Sequence, residues 1–230
     1  MKKILLPCLV TSLLAGCVSS LPTPNLDQMS EYSSGQVMGD ATSYYWLTEK
    51  SAFPYSGADY VYSGDYGWYQ TDYRWRDGQV RELIREGEQI KRNKLVPYQV
   101  HVRFNKDGEA IYQRYRLAGK VLPLNKEQLI RYQQEAEVVI NQAKPNGKKG
   151  VDLIQGYWDG QTFESCNGQE FNKIEFNQTL PDLVVNRLSN IDSYLAFIGR
   201  TRVNSVIVEE LLMLADDSQD CIERPRLIDE

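Results

Sequence analysis

The chain has 230 residues, 42% of them hydrophobic and 25% charged, with fifteen Tyr, four Trp, a single His and a formal net charge of -5. That length suits one large domain or two small ones and is ample to bury a core. The acidic balance argues against nonspecific attachment to nucleic acid or anionic lipid.

Residues 1–16 divide into a basic start at Lys2 and Lys3, an apolar stretch from Ile4 to Leu14, and small residues before Cys17. This is the layout of a signal peptide, and the apolar stretch is too short to span a bilayer. Leu14-Ala15-Gly16-Cys17 resembles the lipobox of exported lipoproteins: an aliphatic residue, two small ones, then the cysteine that is cut before and acylated. The resemblance implies a mature chain that starts at lipidated Cys17 and carries a net charge of -7 once Lys2 and Lys3 leave. By the sorting rules of such lipoproteins the next residue sets the membrane; Val18, rather than Asp, implies the outer membrane, with the protein facing the periplasm. Acyl chains at about 0.8 kcal/mol per buried methylene hold such an anchor without a transmembrane helix. No other segment is apolar enough to cross a membrane.

Residues 17–40, rich in Ser, Pro, Gly, Asn and Gln, read as a lipid-anchored flexible tether. From Ala41 the chain turns to Tyr, Val, Ile and Trp between turn residues, the composition of strands. Asp77-Gly78 between two alternating runs is a strong hairpin signal, and Asp107-Gly108 and Asp159-Gly160 repeat it. Successive hairpins predict an antiparallel meander. Val100, Val102 and Phe104 alternate with Gln99, His101 and Arg103, so one face of the sheet is wet and the other needs a cover. Asn125 to Lys144 supplies it. Leu129, Tyr132, Ala136, Ile140 and Ala143 recur at helical spacing, with Glu135 off that stripe. Asn125 with Gln128 forms the opening cap, and Pro145-Asn146-Gly147 the stop.

Lys144 to Gly150 reads as a linker between a sheet-plus-helix unit at 41–146 and a small β-rich unit at 151–226. In the second unit a hairpin (Leu153 to Cys166) and a strand (Glu170 to Asn177) are followed by a short helix (Leu180 to Leu188). Strands at Ser193 to Arg200, Asn204 to Leu214 and Gln219 to Arg224 complete it. Three strands, a helix and more strands is the element order of a small barrel such as an OB-fold. The fold class predicted is therefore α+β. Cys8 leaves with the leader and Cys17 takes lipid, so Cys166 and Cys221 are the two thiols left to an oxidising compartment. Their disulfide would close a loop of roughly 55 residues, worth about 4 kcal/mol. A metal or redox pair would instead bring a Cys-x-x-Cys neighbourhood, which neither has.

Nothing in the chain assembles catalytic chemistry. The single histidine, His101, lies on the wet face, with no Gly-x-Ser-x-Gly elbow elsewhere. No three or four ligands at zinc spacing remain, and no EF-hand pattern is present. Glu209 and Glu210 point to opposite faces of a strand, and Asp216, Asp217 and Asp220 sit in a predicted turn. Catalytic residues, metal and cofactor are accordingly all read as none. Eleven Tyr and Trp residues fall between Tyr44 and Trp75. Tyr60, Tyr62, Tyr66, Trp68 and Tyr69 are the candidate binding surface, for a protein or for sugar faces; the competing reading is that such rings fill the core of a Tyr-rich sheet. Nucleic acid is excluded as a partner by the missing basic patch.

Tyr73-Arg74-Trp75, Val102-Arg103-Phe104 with Asp107-Gly108, Gln128 to Gln134, and Cys166-Asn167-Gly168-Gln169 resemble the YjaH-like family of uncharacterised gamma-proteobacterial lipoproteins. The resemblance implies an exported lipoprotein of this length and carries over no catalytic residue. The expectation is a non-enzymatic envelope protein that binds an envelope protein or cell-wall glycan, or has a structural role. The alternative is an envelope hydrolase or glycan-binding protein acting at the cell wall.

Overall fold

The computed structural model describes residues 28–229; the leader, Cys17 and the first part of the expected tether lie outside the described residues. The first sheet is an eight-stranded antiparallel meander in chain order. Its strands are β1 (Met29–Met38), β2 (Ala41–Lys50), β3 (Phe53–Tyr62), β4 (Gly67–Arg76), β5 (Gln79–Lys91), β6 (Lys94–Phe104), β7 (Ala110–Leu117) and β8 (Lys120–Leu122). Alternate side chains of the central strands point to one face: Leu47, Tyr73, Leu83, Val100, Val102 and Leu117 are buried there. His101 stays on the other face, 2.7 Å from Glu82.

The cover on the inner face is α1 (Lys126–Lys148), opened by a reciprocal cap between Asn125 and Gln128. It buries Tyr132, Ala136, Val139 and Ala143 against the sheet. Two expectations are corrected here. Residues 29–38 are not tether but β1, paired with β2 over its whole length. Its hydroxyls also reach the following segments, because Ser34 Oγ accepts from Asn146 Nδ2 at 2.7 Å and Ser33 Oγ from Leu153 N at 3.1 Å. Nor is 144–150 a linker. The helix runs on through Pro145 to Lys148, Lys144 Nζ meets buried Glu49 at 2.5 Å, and Gly147 lies so close to the Tyr32 ring that a Cβ there would collide with it. Pro145 is tolerated because the carbonyl it leaves unpaired, on Asn141, belongs to an exposed residue that water can reach.

The second sheet holds β9 (Asp152–Trp158), β10 (Phe163–Ser165), β11 (Glu170–Phe171), β12 (Lys173–Phe176), β13 (Ser193–Thr201) and β14 (Ser205–Asp216), with α2 (Asp182–Asn190) between β12 and β13. β9 pairs with both β10 and β13, β10 with β11, and β14 with β13 and, in parallel, with β12. Since Asn172 alone separates β11 from β12, one interrupted strand touches both margins and the sheet is nearly closed into a barrel. Its interior holds Phe163, Phe171, Leu195, Phe197, Val206 and Val208. The strand expected at Gln219 to Arg224 does not form; residues 217–229 are an irregular tail. The Cys166–Cys221 disulfide, with Cα atoms 6.1 Å apart, ties this tail to the turn after β10.

Candidate functional site

The register of the meander sets three polar side chains in one row across its inner face: Asp59 on β3 opposes Thr71 on β4, which opposes Arg85 on β5. All three are buried. Tyr73 Oη donates to Asp59 Oδ2 at 2.8 Å and accepts from Arg85 Nη2 at 3.2 Å, while Arg85 Nε donates to Thr71 Oγ1 at 2.7 Å. From α1, Glu135 brings Oε2 to 2.8 Å from Arg85 Nη2, a contact of charges without hydrogen-bond alignment. The guanidinium lies 3.9 Å from the ring centre of Tyr69 and 5.1 Å from that of Tyr132, cation–π distances on both.

Burial disfavours the charge on Arg85, but the Tyr73 hydroxyl, Glu135 and Asp59 hold its proton on, well above the usual range. Asp59 is pushed up to about 6, because complete burial outweighs the opposing charge of Arg85. Perturbed groups of this kind beside a concavity mark candidate sites.

The row opens into a cavity of about 290 Å³ between the β3–β4 turn, the inner face of β4 to β6, and the first turns of α1. Tyr69, Tyr98, Tyr115 and Tyr132 wall it; Arg85 and Glu135 lie at its base, and Gln128 and Arg131 at its helix side. Two groups at the base lack partners. Arg85 Nη1 donates to no atom among the described residues, and Glu135 Oε1 accepts no hydrogen bond among them, with Arg131 Nε 4.0 Å away. The hydroxyls of Tyr69, Tyr98 and Tyr132 likewise make no hydrogen bond among the described residues, whereas Tyr115 accepts from Gln89 Nε2 at 3.0 Å.

Two larger depressions lie elsewhere. One, of about 820 Å³ at the far end of the strands, is lined by Arg74, Arg81 and Arg103; the other, of about 420 Å³, lies beside Trp68, Glu86 and Arg116. The charged groups lining both are exposed or half-buried, several already in ion pairs such as Arg81–Asp77 and Arg103–Glu82. Neither has a buried charge opening into it.

Of the aromatic residues singled out from sequence, Tyr66, Trp68 and Tyr69 border the cavity. Tyr60 does not. It lies on the opposite face, stacked on Trp68 with ring centres 6.0 Å apart and set against Tyr44 in the seam with the barrel. Tyr62 is exposed at the end of β3 and Tyr66, in the turn, is 66% exposed. Asp59, Arg85 and Glu135 escaped the sequence reading. The signal present was phase, because Arg85 shares the inward phase of Leu83 and only its charge argued against an inward position. Glu135, expected off the packing stripe, reaches the sheet because Arg85 draws it in.

No group of three or more His, Cys, Asp or Glu residues that could hold a metal occurs among the described residues. No helix among them is long and apolar enough to cross a membrane. The fold and the cavity define a mostly β protein: an antiparallel meander under one helix, joined to a nearly closed barrel-like sheet. The chain belongs to the family described as a protein of unknown function (DUF1481), whose family model matches residues 33–226. No curated protein and no solved structure gives a significant match.

Proposed function

We propose that the chain is a lipoprotein anchored through Cys17 to the periplasmic face of the outer membrane, and that it binds an envelope component in the Tyr-walled cavity without performing catalysis. The lipobox-like Leu14-Ala15-Gly16-Cys17 and the likeness to YjaH-like lipoproteins support the anchor. One observation carries the binding role: the buried side chain of Arg85 lines a cavity whose walls carry three tyrosine hydroxyls with no hydrogen-bond partner among the described residues. Hydrolysis by paired carboxylates fits less well, since Asp59 is sealed and, of the two carboxylates beside Arg85, only the half-buried Glu135 reaches the cavity. We read the second sheet as an OB-type barrel, because its pairings and the place of α2 after the third strand match that connectivity.

The test is made in cells. A photo-crosslinking side chain replacing Tyr66 at the rim captures an envelope component, one replacing exposed Ile111 does not, and Ser63→Trp, which fills the mouth, abolishes the capture. Equal capture from both positions, or capture indifferent to Ser63→Trp, refutes the cavity as the site. Cys17→Ser abolishes fatty-acid labelling and releases the chain from the membrane fraction; retention without label in the parent protein refutes the anchor.

A further inference from the structure

We infer that the cavity accepts one uncharged, hydroxyl-rich sugar ring, held between the base formed by Arg85 and Glu135 and the hydroxyls of Tyr69, Tyr98 and Tyr132. The inference rests on the cavity being the binding site and adds the class of ligand.

Three observations narrow that class. The first is charge. Arg85 and Arg131 supply two positive charges and Asp59, Glu88 and Glu135 three carboxylates in or directly behind the cavity. An anion therefore meets no surplus of positive charge, and a cation would have to compete with Arg85 for its own partners. The second is hydrogen-bond character. Arg85 Nη1 can only donate, Glu135 Oε1 as a carboxylate can only accept, and the three tyrosine hydroxyls do either. A hydroxyl is the small neutral group that accepts from one neighbour while donating to the next, so a ring carrying several satisfies the whole set. The third is size and surface. About 290 Å³ holds roughly ten waters at about 30 Å³ each, close to the roughly dozen non-hydrogen atoms of a hexose. The aromatic walls suit the apolar faces of such a ring.

The sugar could be a residue of the N-acetylated cell-wall glycan or part of a free oligosaccharide. The full chain in detergent is titrated calorimetrically with an N-acetylglucosamine trimer, with a glucose trimer, and with glucuronate and inorganic phosphate as charged counterparts. At least one neutral trimer binds saturably, ten times or more tighter than either anion. Preference for the N-acetylated trimer assigns the wall glycan and preference for the glucose trimer the free oligosaccharide. Tyr98→Phe and Tyr132→Phe each weaken that binding about three- to tenfold with no loss of thermal stability, because neither hydroxyl has a hydrogen-bond partner among the described residues. Tighter binding of glucuronate or phosphate overturns the inference. So does silence from every probe while rim crosslinking in cells still depends on an open cavity, a result that leaves the cavity a site for something else. Silence in both experiments overturns the cavity itself.

Discussion

Asp59 is a carboxylate in a place that penalises charge. One oxygen accepts from Tyr73, the other has no partner, and Arg85 Nη2 is 3.8 Å away. Its pKa is pushed up to about 6 from 3.8, so the folded chain holds this proton more tightly than the unfolded chain does. Its contribution to stability is therefore fully present below pH 3.8 and is lost as pH rises through about 6. Asp59→Asn keeps the shape and removes the titration. Relative to the parent, its unfolding free energy should improve by about 2 kcal/mol between pH 4 and pH 7.5 in denaturant titrations. A difference independent of pH would mean that Asp59 titrates alike in the folded and unfolded chains.

Strands and turns were legible in the sequence to different degrees, and the turns show why. Asp77-Gly78 has φ of +54° and +75°, the left-handed pair that a tight hairpin needs, and its Gly announces it. Ser51-Ala52, between β2 and β3, adopts +51° and +68° with no Gly or Asn to give it away. There the pairing of the flanking strands imposes a conformation that costs an L-residue about 1–2 kcal/mol. Ala52→Gly relieves that cost and gives back part of it in chain entropy. The expected result is a stabilisation of about 0.5–1 kcal/mol, read as a higher urea midpoint; a lower midpoint would contradict a left-handed residue 52. The same logic explains β1, which composition concealed. Ser33, Ser34, Gly35 and Gln36 look like tether, yet tertiary partners use the two hydroxyls, and Gly35 permits close approach to Leu212. Periodicity revealed the helix and the outward phase of His101, whereas the Asp59–Arg85–Glu135 cluster was hidden because inward charges break the pattern by which inward positions are recognised.

At the scale of the molecule, composition suggested two units, but contacts join them. Tyr44 of β2 is completely buried in a cluster with Val151, Tyr194, Ile198 and Leu212, so the two sheets share a third core between them. The tail crosses back to reinforce the seam: Asp72 Oδ2 accepts from the backbone N–H groups of Leu227 and Ile228, both at 3.0 Å, and Arg224 donates to Thr48 and Ser56. The disulfide restrains the start of that tail, whereas the seam involves no covalent link. The two contributions can thus be separated by experiment. Cys166→Ser with Cys221→Ser should lower the unfolding free energy by about 4 kcal/mol by freeing the unfolded chain. It should leave calorimetric unfolding a single transition whose van't Hoff and calorimetric enthalpies agree, because the buried cluster still couples the sheets. If two transitions separate in the variant, the disulfide rather than the shared core makes the molecule cooperative; if two are already present in the parent, the seam around Tyr44 does not couple the meander to the barrel.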